Sequence, residues 1–178
     1  MSPLLNTIGG ASVRGFRGPG STSALPARYF IFQMLAIRGG SDPYVQLSEF
    51  NLMNGGSRIT SASYYAWNLN FSPAGDAGPS QYPGNETPSM ANDGTTNTKW
   101  LDFRGAGGGL FIDLGAPTTT TGYQMYTAND GDWRDPRSWK VWASNNNSTW
   151  TLISDVSNQS LTTSRYAYAG AWNWISGV

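Results

Sequence analysis

Between residues 123 and 152 the chain reads YQMYTANDGDWRDPRSWKVWASNNNSTWTL, and few folds accommodate that run. Tyr123, Met125 and Thr127 alternate with Gln124 and Tyr126, and Trp139, Val141 and Ala143 alternate with Lys140 and Trp142. A period of two belongs to strands with one buried face. Residues 129–136 crowd Asn, Gly, Pro and three Asp into a loop. Asx side chains there bond nearby backbone, while Gly and Pro set turn dihedrals. Residues 144–148 then turn the chain toward a third strand at 150–153. The segment is antiparallel β structure with polar loops, and it holds no catalytic motif.

The remaining sequence extends the same pattern. Residues 29–37, YFIFQMLAI, form a continuous apolar run that predicts a buried strand. In residues 44–53, YVQLSEFNLM, counting by twos places Glu49 on one face with Val45 and Leu47 unless a bulge intervenes. A carboxylate facing inward is costly unless it is paired or holds a cation. Residues 110–114 alternate after a glycine-rich turn at 105–109. Tyr166, Tyr168, Trp172 and Trp174 share one parity, as an apolar closing strand would need. Residues 70–90 hold Pro73, Pro79, Pro83 and Pro88 in a connection long enough to suggest function or a partner contact. The expected architecture is all-β, an antiparallel jelly-roll β-sandwich over residues 28–178.

Residues 1–27 stand apart as an extended or flexible N-terminal arm. Their small residues and lack of periodicity fit a disordered tail. They fit equally an arm that orders on a neighbouring subunit, anchored by Leu4, Leu5, Ile8 and Phe16.

Composition narrows the chemistry. Eleven basic and eleven acidic residues cancel, so nothing favours nucleic acid or an anionic membrane. With no cysteine, disulfides and thiolate metal sites are excluded. With no histidine, Ser–His–Asp and Cys–His nucleophiles and His-ligated zinc are excluded too. A glycosidase would need two facing carboxyls, and Glu86 has no evident partner in sequence. The expectation is a protein without enzymatic activity. Eight Trp and nine Tyr amid abundant Gly, Ser, Thr and Asn suit an extracellular or virion protein presenting aromatic and amide surfaces. Residues 1–20 lack the apolar core of a signal peptide, and no run is long enough for a transmembrane helix.

Several separated motifs resemble one family. Asp135, Pro136, Ser138 and Trp139, followed by Ser144, Asn145, Ser148 and Trp150, resemble the signature of discoidin domains, also called F5/8 type C or galactose-binding-like domains. Asp93-Gly94 with Thr98 and Trp100 resembles the family's calcium loop. The resemblance implies a structural Ca2+ held by Glu49, Asp93 and Thr98; read alone, Asn92-Asp93-Gly94 is equally a simple turn. In the family, a strand like 44–49 usually ends the domain. Here it precedes the calcium loop, so the chain resembles a circular permutant. Glycan binding through loops at one end of the sandwich is also implied. Trp133, Arg134, Tyr82 and Trp67 are the candidates, although such aromatics also serve cores and subunit contacts.

Residues 3–16, PLLNTIGGASVRGF, are similar to leaders of phage tail and capsid accessory proteins. That similarity implies a bacteriophage virion structural protein, on a capsid as a decoration or in a tail or fibre. Its partners would be other virion proteins reached through the arm, and a homo-oligomer is expected. The alternative is a glycan-binding adhesin for host polysaccharide, on the virion or otherwise extracellular.

Overall fold

The computed structural model describes residues 24–39, 43–70 and 74–175. The anchors Leu4, Leu5, Ile8 and Phe16 lie outside the described residues. In chain order the strands are β1 (Leu25–Ile37), β2 (Val45–Leu47), β3 (Glu49–Asn54), β4 (Ser57–Arg58), β5 (Ser63–Asn68), β6 (Trp100–Asp102), β7 (Gly108–Thr120), β8 (Gly122–Tyr126), β9 (Pro136–Ser144), β10 (Thr151–Val156) and β11 (Tyr168–Asn173). Helical structure among the described residues is confined to three short 3-10 turns. A five-stranded sheet, β10-β9-β1-β7-β5, packs on a four-stranded sheet, β11-β8-β3-β4, and β2 pairs with β6 as a short ribbon. Every pairing is antiparallel, as expected for a jelly-roll sandwich.

The core follows from strand alternation. Phe30, Phe32 and Met34 of β1, Leu110 and Ile112 of β7, and Trp139 and Val141 of β9 point inward from one sheet. Phe50 and Leu52 of β3 and Tyr123 and Met125 of β8 meet them from the other. The Phe32 and Phe50 rings sit 4.4 Å apart. Each such side chain contributes about 1.5–3 kcal/mol through burial. The polar tips inside are satisfied: Trp139 Nε1 donates to Tyr123 Oη (2.7 Å), which lies 2.9 Å from Ser154 Oγ.

Three sequence readings change. The bulge left open before Glu49 is present. Ser48 breaks the strand, so Val45 and Leu47 face the core at odd positions while Phe50 and Leu52 face it at even ones. That shift puts Glu49, Asn51 and Met53 against the outer side of the four-stranded sheet, where they line a shallow cleft. The aromatic stripe near the C-terminus is also split. A register shift between Tyr168 and Gly170 leaves Tyr166 and Tyr168 exposed while Trp172 and Trp174 pack inward. Finally, β1 begins at Leu25, inside the stretch read as the arm, with residues 25–27 paired to Thr118–Thr120 of β7.

Thr120 joins the two described ends of the sandwich. Its hydroxyl donates to Leu25 O (3.1 Å) and accepts from Trp174 Nε1 (3.0 Å).

Candidate functional site

A 3-10 turn at Pro88–Asn92 leads into Asp93 and the tight bend at Gly94. Asp93 organises the bend: one carboxylate oxygen accepts Thr95 N (3.0 Å) and the other accepts the Thr98 hydroxyl (2.6 Å). Gly94 has φ +88°, a conformation that favours glycine, and a Cβ there would lie 2.6 Å from Arg58 Nη2 and displace the end of that side chain. Glu49, the first residue of β3, is 3% exposed. Its Oε1 accepts Gly94 N at 2.8 Å. Its Oε2 has no hydrogen-bond partner and lies 3.5 Å from Arg58 Nη1. Burial pushes the Glu49 carboxyl above its usual range against the pull of Gly94 N–H and Arg58, and nearby Asp93 adds to the rise.

The structure therefore brings Glu49, Asp93 and Thr98 into one neighbourhood. Two carboxylates, a hydroxyl and loop carbonyls are the hard oxygen donors that calcium prefers, and Glu49 Oε2 is an acceptor that a cation would satisfy. Among the described residues no three His, Cys, Asp or Glu side chains cluster around a metal position. Hydroxyl and carbonyl oxygens would have to complete the shell. Arg58 also lies against Glu49 as a built-in counter-charge, which the sequence did not signal.

Trp133 and Arg134 lie in a 3-10 turn, Asp132–Arg134, opened by Gly131 in the left-handed region (φ +42°). Trp133 is 47% exposed. The Arg134 guanidinium stands 5.7 Å from the Trp133 ring centre and 5.4 Å from that of Tyr44, which meets Phe103 edge-on at 5.4 Å. The loop is fixed from beneath. Asp135 is fully buried, with Arg165 Nη2 at 2.6 Å and Arg38 Nη2 at 3.3 Å, and Gly39 N donates to Trp133 O. Lys99 Nζ reaches Asp130 at 2.8 Å. Arg134 adds a long pair to Asp130 (3.9 Å), while Arg38, Lys99 and Arg165 reach the loop from elsewhere in the chain.

Tyr82 and Trp67 do not join that cluster in the way expected. Tyr82 follows a separate 3-10 turn and is half-buried; burial, with Asp76 beside it, pushes its phenol up. Trp67 is 6% exposed and packs on the outer face of the five-stranded sheet with Ile31, Ala74 and Phe111. It forms one wall of a groove of about 700 Å³ that also involves Gln33, Trp142, Asn147 and Trp150. Alternation around Trp139 already placed Trp142 on the outward face. That Trp67 and Trp150 come beside it depends on the pairing order, which sequence does not give.

The model of the F5/8 type C domain matches residues 76–169, more than half of the chain. No curated protein and no solved structure matches the chain significantly. Asp93, Thr98, Tyr82, Trp133 and Arg134 fall inside the matched segment; Glu49 and Trp67 precede it. Domains of this type are generally non-catalytic binding modules on a carbohydrate-binding-type fold. With the antiparallel sandwich and this match, the chain belongs to the F5/8 type C domain family.

Proposed function

We propose that the protein is a non-enzymatic carbohydrate-recognition module carried on a bacteriophage virion, with its ligand end at the Trp133 loop. The observation that carries the binding role is the exposed Trp133 ring, braced by Arg134 and the buried Asp135 pairs. A flat ring on a rigid support stacks a sugar face, and a neighbouring guanidinium binds hydroxyls at little ordering cost. Glu86, the glutamate of the long loop, lies 3.5 Å from Lys99 and is spoken for. The virion setting rests on the leader similarity of residues 3–16, with assembly as a homo-oligomer and contacts to other virion proteins through the arm. Structural Ca2+ at Glu49, Asp93 and Thr98 belongs to the same reading, as does the permuted strand order. The shared Thr120 contact of the first and last strands' surroundings supports that order, because sandwich ends this close allow a strand to be relocated.

A glycan array probed with multimerised protein, with calcium and with chelator, tests the binding role. Binding to one sugar class that Trp133→Ala abolishes is the expected result. Binding indifferent to Trp133 and Arg134 sinks the assignment of the ligand end. Deleting residues 1–23 should leave the fold intact and prevent incorporation into particles; normal incorporation would dismiss the arm.

A further inference from the structure

The groove on the outer face of the five-stranded sheet is a second site, separate from the Trp133 loop. Strand register makes it. One row across the sheet runs Lys140, Gln33, Gly109, Trp67 from β9 through β1 and β7 to β5, so no side chain stands between Gln33 and Trp67. The neighbouring row places Trp142 beside Ile31. Trp150 and the turn after β9 complete the trough, whose volume of about 700 Å³ lies within the range of small-molecule sites, roughly 300–1,000 Å³.

The lining states what the occupant must offer. Among the described residues that line the groove none is ionisable. Indole and aliphatic surfaces make most of its wall, so the ligand carries apolar faces and no obligatory charge. Two polar atoms of its lining residues are enclosed without a hydrogen-bond partner, Trp67 Nε1, a donor, and Asn147 Oδ1, an acceptor, and a ligand reaches them when the side chains around them shift slightly. Both are held in place. Asn147 adopts φ +55° and donates Nδ2 to Ala74 O (2.7 Å), while the adjacent turn is tied by Ser144 Oγ to Asn146 N and Asn147 N. Trp142 is fixed by its own Nε1 donating to Gln33 Oε1 (2.9 Å). Buried polar groups are rarely left unpaired, and a matched donor and acceptor over fixed indoles call for a ligand with C–H faces and hydroxyl edges.

We infer that this groove binds a neutral oligosaccharide, its pyranose faces against Trp142 and Trp150 and its hydroxyls on Trp67 Nε1 and Asn147 Oδ1. The inference goes beyond the Trp133 reading and stands on different residues.

The test is tryptophan-fluorescence and calorimetric titration of the full chain with neutral gluco-, galacto-, manno- and chito-oligosaccharides at millimolar concentration, and with anionic uronate oligosaccharides for contrast. A neutral set should bind. In a Trp133→Ala background, which silences the loop end, that binding should persist, and adding Trp150→Ala should abolish it. Trp67→Phe keeps the ring surface and removes the Nε1 donor, so affinity should fall about tenfold, the worth of one hydrogen bond. Asn147→Gly, which suits the left-handed backbone, should do the same. Circular dichroism and melting confirm the fold of each variant. Binding lost with Trp133→Ala but kept in the groove variants overturns this site and leaves the loop-end reading standing. Binding lost with the groove variants alone supports the groove site, and the loop end is then judged by the glycan array, where it takes a different sugar class. No response to any neutral probe, a response to the uronates only, or burial of the groove in a dimer seen by light scattering and abolished by Trp150→Ala overturns the groove site.

Discussion

The two outer faces of the sandwich are built from the same alternation yet filled with opposite chemistry. Outside the four-stranded sheet, Glu49, Asn51, Arg58 and Gln124 line a cleft of about 330 Å³ in which a carboxylate and a guanidinium meet. Outside the five-stranded sheet, the larger groove has indoles and amides with no charge. Each face hides two polar atoms that make no hydrogen bond: Glu49 Oε2 and Asn51 Oδ1 on one, Trp67 Nε1 and Asn147 Oδ1 on the other. On the charged face both are acceptors beside a cation, the balance of a site that ties loops together. On the uncharged face one donates and one accepts, the balance of a surface that meets hydroxyls. One face is thus expected to answer to stability, the other to ligand.

The strongest way to break that division is to remove the cation from the charged face. Arg58→Ala leaves Glu49 buried without its counter-charge and removes the bonds that Arg58 Nη1 donates to Asn92 O and Oδ1. Stability should drop by about 3 kcal/mol, measured by urea unfolding, since breaking a largely buried pair leaves an uncompensated charge. Adding Glu49→Gln should recover most of the loss in a double-mutant cycle. If Glu49, Asp93 and Thr98 hold calcium, millimolar calcium should also raise the melting temperature of the Arg58 variant, and of the parent by several degrees relative to chelator. The Glu49→Gln variant should show no such rise. Equal melting with calcium and chelator in all three proteins would end the metal proposal.

The uncharged face is braced by one titratable group out of a ligand's reach. Asp102 is fully buried at the end of β6. Gln81 Nε2 donates to it and to Trp67 O, both at 2.6 Å, and Asn68 Nδ2 donates to Gln81 Oε1. Gly108 makes the approach possible, because a Cβ there would stand 2.6 Å from the carboxylate. Burial pushes Asp102 up to about 6 despite hydrogen bonds from Arg104 N, Gln81 and Gly109 N. The folded protein then holds this proton more tightly than the unfolded chain. The Asp102 contribution is therefore most favourable below about pH 4 and is lost as pH rises to about 6, by roughly 3 kcal/mol at most. Asp113 acts in the opposite sense. The bond from Arg28 keeps its carboxyl below the usual range, so its contribution is lost as pH falls. The difference in stability between parent and Asp102→Asn, followed from pH 4 to 7, isolates the Asp102 part. A flat difference would show that the group is not buried as described.

How much of this was legible differs between the same two faces. The inward residues of β8 and β9 could be read directly, because Tyr123, Met125, Trp139 and Val141 obey a period of two without interruption. Asp93, Gly94 and Thr98 were legible because they are local: the six residues 93–98 make the bend. Glu49 was identified through the resemblance, but its orientation turns on the break at Ser48, which no propensity marks. Arg58 was missed since its role arises from a two-residue strand folding back beside β3. The groove was invisible for a stronger reason. Trp67, Trp142 and Trp150 come from β5, β9 and the turn before β10, and only the order β10-β9-β1-β7-β5 places them around one trough. Trp67 was named only as a candidate for a glycan site in the end loops, and Trp142 and Trp150 taken singly pointed to no site.

The smallest expected effect also bears on the division. Lys140 lies in the groove row next to Gln33, and its ammonium is 3.5 Å from Asp155, with both side chains partly exposed. An exposed pair of this kind contributes at most about 0.5 kcal/mol and is screened by salt. Lys140→Ala should therefore shift the urea midpoint barely beyond error and leave neutral-oligosaccharide affinity within about twofold, equally at low and high salt. A large, salt-sensitive loss of affinity would mean that charge reaches into the groove from its rim. The two faces would then differ in degree rather than in kind, and the preference for uncharged sugars would lose its physical basis.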